Sequence, residues 1–192
     1  MILNIRGTSG SGKSTLARRI MSYYDCRQPF FFPDRKQPIG YLLSKIGSPD
    51  PELFVVGHYE TACGGCDTIA EKQFDTVYSL VRARARMGQH VLYEGLLLTA
   101  EANRLIALHR DEPGKVVVIQ LTTPLELCRE SVIARRAAKG SEKPLGPNFR
   151  KNLESKHKAG LATLRRFQAA GVTCFECDRD QAEATACEVL GL

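Results

Sequence analysis

The sequence predicts an α/β fold: three layers, with a central parallel sheet between helices. Three observations predict it. Residues Gly7-Thr8-Ser9-Gly10-Ser11-Gly12-Lys13-Ser14-Thr15 fit G-x-x-x-x-G-K-[ST], the phosphate-binding P-loop. Apolar runs of strand length alternate with helix-period segments along the chain. One such run, Gln89 to Gly95, ends in an acid beside a glycine. At 192 residues the chain is expected to form a single domain, 1–192, with a β-hairpin insertion and a helical lid at 124–166.

Composition sets limits. Hydrophobic content of 43% and charged content of 25% are ordinary for a globular protein. No apolar run reaches the ~20 residues of a membrane span. The first strand begins at the first residues, which leaves no room for a signal peptide. The chain is expected in the cytoplasm, with its seven cysteines reduced. Net charge is +6, but Arg129 to Arg166 holds 11 basic against 3 acidic residues, a local +8. That segment should meet phosphates.

Met1 to Arg6 reads as a buried strand, and Leu16, Ile20 and Met21 share one face of the helix after the loop. Glycines 7, 10 and 12 let consecutive N–H groups point at phosphate oxygens. The helix start adds its positive dipole end. Lys13 should reach the β- and γ-phosphates, and Ser14 should offer its hydroxyl to Mg²⁺, ahead of Thr15.

Gln28 to Pro33 reads as a short aromatic strand followed by Asp34-Arg35. Ligands of such sheets sit beyond the carboxyl ends of the strands. There Asp34 could take a hydroxyl proton and Arg35 could hold a phosphate; a solvated turn is the equal alternative. Ile39–Leu43 and Leu53–Gly57 flank turn chemistry at Ser48-Pro49-Asp50-Pro51 and read as two strands of a hairpin. A short helix over 38–46 is the alternative for the first. The loop His58-Tyr59-Glu60-Thr61-Ala62-Cys63-Gly64-Gly65-Cys66-Asp67 is too polar and glycine-rich for a core, and is read as a substrate-binding loop. Asp67 can cap a helix from Thr68 to about Met87.

Cys63/Cys66 and Cys174/Cys177 are two C-x-x-C pairs. The second lies in a strand pattern, where residues three apart face opposite ways, so small buried thiols are favoured over zinc. Glu94 ends a buried strand in the position that presents a carboxylate near Mg²⁺, directly, through a bound water, or as a general base. A helix over 99–110 and a strand over 115–121 follow. Thr122-Thr123-Pro124 supplies an N-cap and a proline for the next helix, which Gly140 ends. Arg129 and Arg136 share a face there, with Arg135 adjacent. With the helix at 148–170 this forms the expected lid, whose arginines would neutralise a phosphoryl group in flight. Glu154 and Lys158 are an i,i+4 pair. A buried strand at 172–177, the turn Asp178-Arg179-Asp180-Gln181 as an edge of an adenine pocket, and a helix at 181–190 complete the chain.

The P-loop, Glu94, the Arg129/Arg135/Arg136 helix and a five-stranded order together resemble a P-loop kinase. At Gly7–Thr15, at Asp34-Arg35 and in the basic lid the chain resembles the kinase domain of phage polynucleotide kinase. That resemblance implies Asp34 as the general base. The 58–67 loop departs from that pattern and looks like the phage P-loop kinases of hypermodified DNA, which phosphorylate 5-hydroxymethyluracil in DNA. This implies ATP and Mg²⁺ as cofactors and DNA as acceptor. It implies that Tyr59 stacks on an extruded base, that Asp67 or Asp34 activates its hydroxyl, and that Thr61, Gly64 and Gly65 help hold it. A polynucleotide 5′-hydroxyl kinase, a small-molecule or nucleoside monophosphate kinase, and a P-loop NTPase module without acceptor are the alternatives.

Overall fold

A computed structural model describes residues 1–33, 35–61, 65–66, 69, 73–95, 98–138, 140 and 145–192. The elements run β1 (Ile2–Arg6), α1 (Lys13–Met21), β2 (Cys26–Phe30), β3 (Gly40–Ser44), β4 (Leu53–Val56), α2 (Phe74–Arg86) and β5 (His90–Glu94). They continue α3 (Leu98–Asp111), β6 (Val116–Leu121), α4 (Leu125–Ala137), α5 (Phe149–Ala169), β7 (Thr173–Cys177) and α6 (Gln181–Leu190). Seven strands form one sheet in the order β2-β3-β4-β5-β1-β6-β7. β4, β5, β1, β6 and β7 are parallel, whereas β3 pairs antiparallel with both β4 and β2. The expected hairpin is therefore part of the main sheet: β4 belongs to the parallel core and β3 turns back along it.

Strand alternation divides the core in two. Ile2, Phe54, Val56, Val91, Tyr93, Val116 and Val118 pack with α2, α3 and Phe167 of α5. Leu3, Ile5, Val55, Leu92, Val117 and Ile119 pack on the other face with α1 and α6. The three-layer prediction holds. No helix among the described residues is long and apolar enough to cross a membrane.

Several boundaries differ from the sequence reading, each for a local reason. β2 begins at Cys26 and stops at Phe30, because the chain then turns and Arg35 N–H donates to the Phe32 carbonyl at 3.0 Å. Pro29, with no N–H to give, is tolerated because β2 is an edge strand. α2 starts at Phe74, not at Thr68; before it, Ile69 N–H closes a turn on the Cys66 carbonyl at 2.9 Å. The Asp67 cap lies outside the described residues. Pro124, not Thr122 or Thr123, occupies the N-cap position of α4. β7 is an exposed edge strand rather than a buried one, with Phe175 41% exposed.

Because Ile2 and residues two and four beyond it face α3, Asn4 and Arg6 are buried there as well. Arg6 is 1% exposed and donates to Glu101 of α3 at 2.8 Å. Tyr78 hydroxyl donates to the other Glu101 oxygen at 3.2 Å, and the Arg6 guanidinium lies 5.1 Å from the Phe167 ring centre. This pair locks the end of β1 to α3 directly before the P-loop. A buried charge left alone costs ~3–5 kcal/mol, whereas an apolar pair of similar volume can be neutral. Glu101→Ala should therefore lose about that much in a denaturant titration, and the double change R6M/E101L should recover most of it.

Candidate active site

β1 hands the chain to Gly7, and the loop then curls through φ values of 151°, 86° and 106° at Gly7, Gly10 and Gly12. L side chains rarely adopt that range, and a Cβ at Gly10 would also collide with the Cys128 carbonyl oxygen. α1 opens at Lys13 with no side-chain cap, so its first N–H donors can serve an anion. Lys13 Nζ donates to the Gly7 carbonyl at 3.0 Å and to that of Thr8 at 3.4 Å, which lays the ammonium along the loop.

A cavity of about 410 Å³ opens over this loop. Ser9, Gly10, Gly12, Lys13, Ser14 and Thr15 line it, joined by Arg18 and Arg19 of α1. Ser131 and Arg135 of α4 and the Arg179-Asp180 turn complete the lining. Of the three expected lid arginines, only Arg135 reaches the cavity. α4 turns Cys128, Ser131 and Arg135 toward the loop, and Arg129 and Arg136 sit about 100° further around the helix. Arg129 lies instead 3.8 Å from Glu126.

The loop is also braced by residues outside the motif. Arg179 Nη2 donates to the Gly10 carbonyl at 2.8 Å and to Ser131 Oγ at 3.0 Å, and its Nε donates to the Ser11 carbonyl at 3.1 Å. Thr123 Oγ1 donates to the Ser11 carbonyl at 2.8 Å, so this threonine braces the P-loop instead of capping α4. Thr8 Oγ1 and His157 Nδ1 of α5 are 3.3 Å apart and hydrogen-bonded. The turn that carries Arg179 is itself closed by Asp178, whose Oδ1 accepts from the N–H groups of Asp180 and Gln181.

Glu94 ends β5 beside Ile5, its partner in β1. Its carboxylate is buried. Ser14 Oγ donates to Oε2 at 3.0 Å and Tyr59 hydroxyl donates to Oε1 at 2.9 Å. Gly65 presses its backbone on the same carboxylate: a Cβ there would stand 2.6 Å from Oε1, and φ is +103°. Burial, and then the charge of Glu94, push the Tyr59 hydroxyl well above its ordinary pKa, so it stays a donor.

The expected stacking role of Tyr59 is overturned. Its ring is 5% exposed, covered by the Arg18 guanidinium at 5.7 Å and packed against Tyr41. Tyr59 is a support for Glu94, not a platform for a base. Thr61 contributes its carbonyl, which accepts from Arg18 Nη2 at 2.6 Å. Arg35 Nη1 donates to Gln73 Oε1 at 3.3 Å, which ties the segment after β2 to the start of α2. Asp34, Gly64 and Asp67 lie outside the described residues.

Cys63 also lies outside them. Cys66 Sγ donates to the Val56 carbonyl. Cys174 and Cys177 pack into opposite cores, as alternation requires. Among the described residues no group of three His, Cys, Asp or Glu side chains could hold a metal on its own. Ser14 and Glu94 together offer a hydroxyl and a carboxylate, the hard oxygen donors that suit Mg²⁺ when phosphate oxygens complete the shell.

No family model matches the chain. It is 53% identical over 181 residues to a "5-hmdU DNA kinase" of Pseudomonas phage PaMx11, an alignment covering 94% of this chain and 92% of that protein. It is 27% identical over 192 residues to a "5-hmdU DNA kinase" of Delftia phage PhiW-14, covering 93% and 68%. A deoxyadenosine kinase from M. mycoides, solved with bound dATP, matches over 100% of both chains with a TM-score of 0.45 and 15% identity.

Two substitutions test the bracing. Arg179→Ala removes three charge-assisted hydrogen bonds and should weaken nucleotide binding at least tenfold, read by calorimetric titration. Tyr59→Phe takes a donor from a buried carboxylate and should lower stability by ~1–3 kcal/mol, read by a shift in the urea midpoint.

Proposed function

The chain belongs to the phage 5-hmdU DNA kinase family, and we propose from that premise that it transfers the γ-phosphoryl group of ATP to the 5-hydroxymethyl group of 5-hydroxymethyluracil in DNA. The observation that carries the reading is the Ser14–Glu94–Tyr59 chain at the mouth of a braced P-loop. It supports phosphoryl transfer, because it sets a carboxylate and a hydroxyl where a nucleotide's metal would sit.

In this reading the loop amides, the start of α1 and Lys13 hold the triphosphate. Arg135, Arg18 and Arg19 line the same cavity and offset its charge. Ser14 and Glu94 would hold Mg²⁺, which supplies charge neutralisation on the phosphates. Glu94 already accepts from Ser14 and Tyr59, which favours metal positioning over proton abstraction. Asp34 and Asp67 stay the candidates for the general base. As the new phosphate ester bond forms, the β–γ bridging bond breaks, the hydroxyl proton passes to the base, and ADP leaves. The whole chain acts as one kinase domain with 124–166 as its lid. Ser131 and Arg135 at the cavity and the His157–Thr8 bond support the lid reading.

The test is incubation with Mg²⁺ and γ-labelled ATP on duplex DNA with and without 5-hydroxymethyluracil, beside a panel of nucleoside monophosphates. Label should enter the modified duplex alone. Label on 5′ ends whatever the base, or on a monophosphate only, would overturn the acceptor assignment. Lys13→Ala should abolish nearly all turnover. Of Asp34→Asn and Asp67→Asn, the variant that removes the base should lose ~10²–10⁴-fold in kcat with ATP binding retained.

A further inference from the structure

Lys151, Lys158 and Arg165 recur every seven residues along α5. Seven residues advance a helix to within about 20° of two full turns, so the three form one stripe. All three are exposed, as are Ser155 and Ala162 between them, while Leu153, Gly160, Leu164 and Phe167 are buried on the opposite side. Along the axis the three positions are about 10.5 Å apart, and the stripe spans about 21 Å, the axial length of about six base pairs.

Several arginines elsewhere are paired with acids. Arg82 meets Asp111 at 2.9 Å, Arg104 meets Asp75 at 2.7 Å, and Arg27 meets Glu60 at 2.8 Å. Among the described residues, Lys151, Lys158 and Arg165 have no acidic partner within 4 Å. Glu154, the acid that spacing offers to Lys158, pairs with Arg150 at 3.1 Å instead. His157, the neighbour of Lys158, bonds Thr8 of the P-loop, so the helix that carries the stripe is tied to the phosphate loop.

We infer that this face of α5 is the track for the acceptor DNA: Lys151, Lys158 and Arg165 bind phosphates of the duplex backbone and set the modified base beside the P-loop. The inference rests on the DNA-acceptor reading for its partner, but not for its test. Three uncompensated cations on one line suit a regularly spaced polyanion. They carry no base-specific information, so the track serves any sequence.

The test is a binding titration that needs no turnover. The full chain is titrated into a fluorescein-labelled 20-base-pair duplex at several salt concentrations between 50 and 200 mM, with anisotropy as readout. K151Q/K158Q/R165Q should bind at least tenfold more weakly at 150 mM salt. Its slope of log K against log salt should be shallower by about 3, near 0.9 for each phosphate that is no longer neutralised. K151R/K158R/R165K keeps the charges and should bind like the parent chain. R82Q/R104Q removes paired charge elsewhere and should also leave binding unchanged, and melting temperatures should agree throughout. Equal affinity and slope for the parent and the triple glutamine variant would overturn the track. So would a parent chain that does not bind duplex DNA. A chain that phosphorylates modified DNA while the triple variant binds normally would keep its function and lose the track. Salt-dependent binding without phosphorylation would do the reverse.

Discussion

The pairing of β1 with β5 is the constraint on which the site depends. Ile5 stands beside Glu94 in a parallel register. Because alternation has period two, a slip of one residue would turn Glu94 away from the P-loop and into the opposite layer. The register is held on the far face by the Arg6–Glu101 pair and on the near face by Ser14 and Tyr59. One strand pair therefore brings together the phosphate loop, the carboxylate and the loop after β4.

How much of this was legible follows from how local each signal is. The P-loop needed nine consecutive residues and no tertiary contact, so it could be read directly. Glu94 was readable because a strand pattern carries its own end. Tyr59 was found, but its role was not: whether a residue just past a strand faces solvent or a carboxylate depends on Gly65 closing over it, and no local pattern encodes that approach. For Arg129 and Arg136, helical period correctly put the two on one face. It could not say which face of α4 meets the loop, and that is decided by the contact of Gly10 with the Cys128 carbonyl.

The residues whose bracing role was not legible share a feature. Arg179, Thr123 and His157 act on the P-loop across separations of more than a hundred residues, and each acts on a backbone carbonyl or a threonine hydroxyl rather than on a motif side chain. Backbone carbonyls exist at every position, so their partners leave no signature in composition or spacing. Arg6 and Glu101 were missed for a related reason. A charge inside a buried strand pattern reads as noise until its partner on a distant helix is known.

The bracing also explains how a small loop can hold its shape. Curling the loop places three glycines at positive φ and points successive carbonyls outward, and buried carbonyls without donors are costly. Arg179 and Thr123 satisfy those of Gly10 and Ser11, and Lys13 satisfies those of Gly7 and Thr8. The shape of the loop is thereby set before anything binds. Binding then spends little on ordering the loop, and the preorganised dipoles act on charge as it develops. Since Arg179 also bonds Ser131, the same guanidinium couples the loop to α4. Displacing α4 would disturb the carbonyl set that shapes the loop, so the position of α4 and the shape of the loop are linked through one side chain.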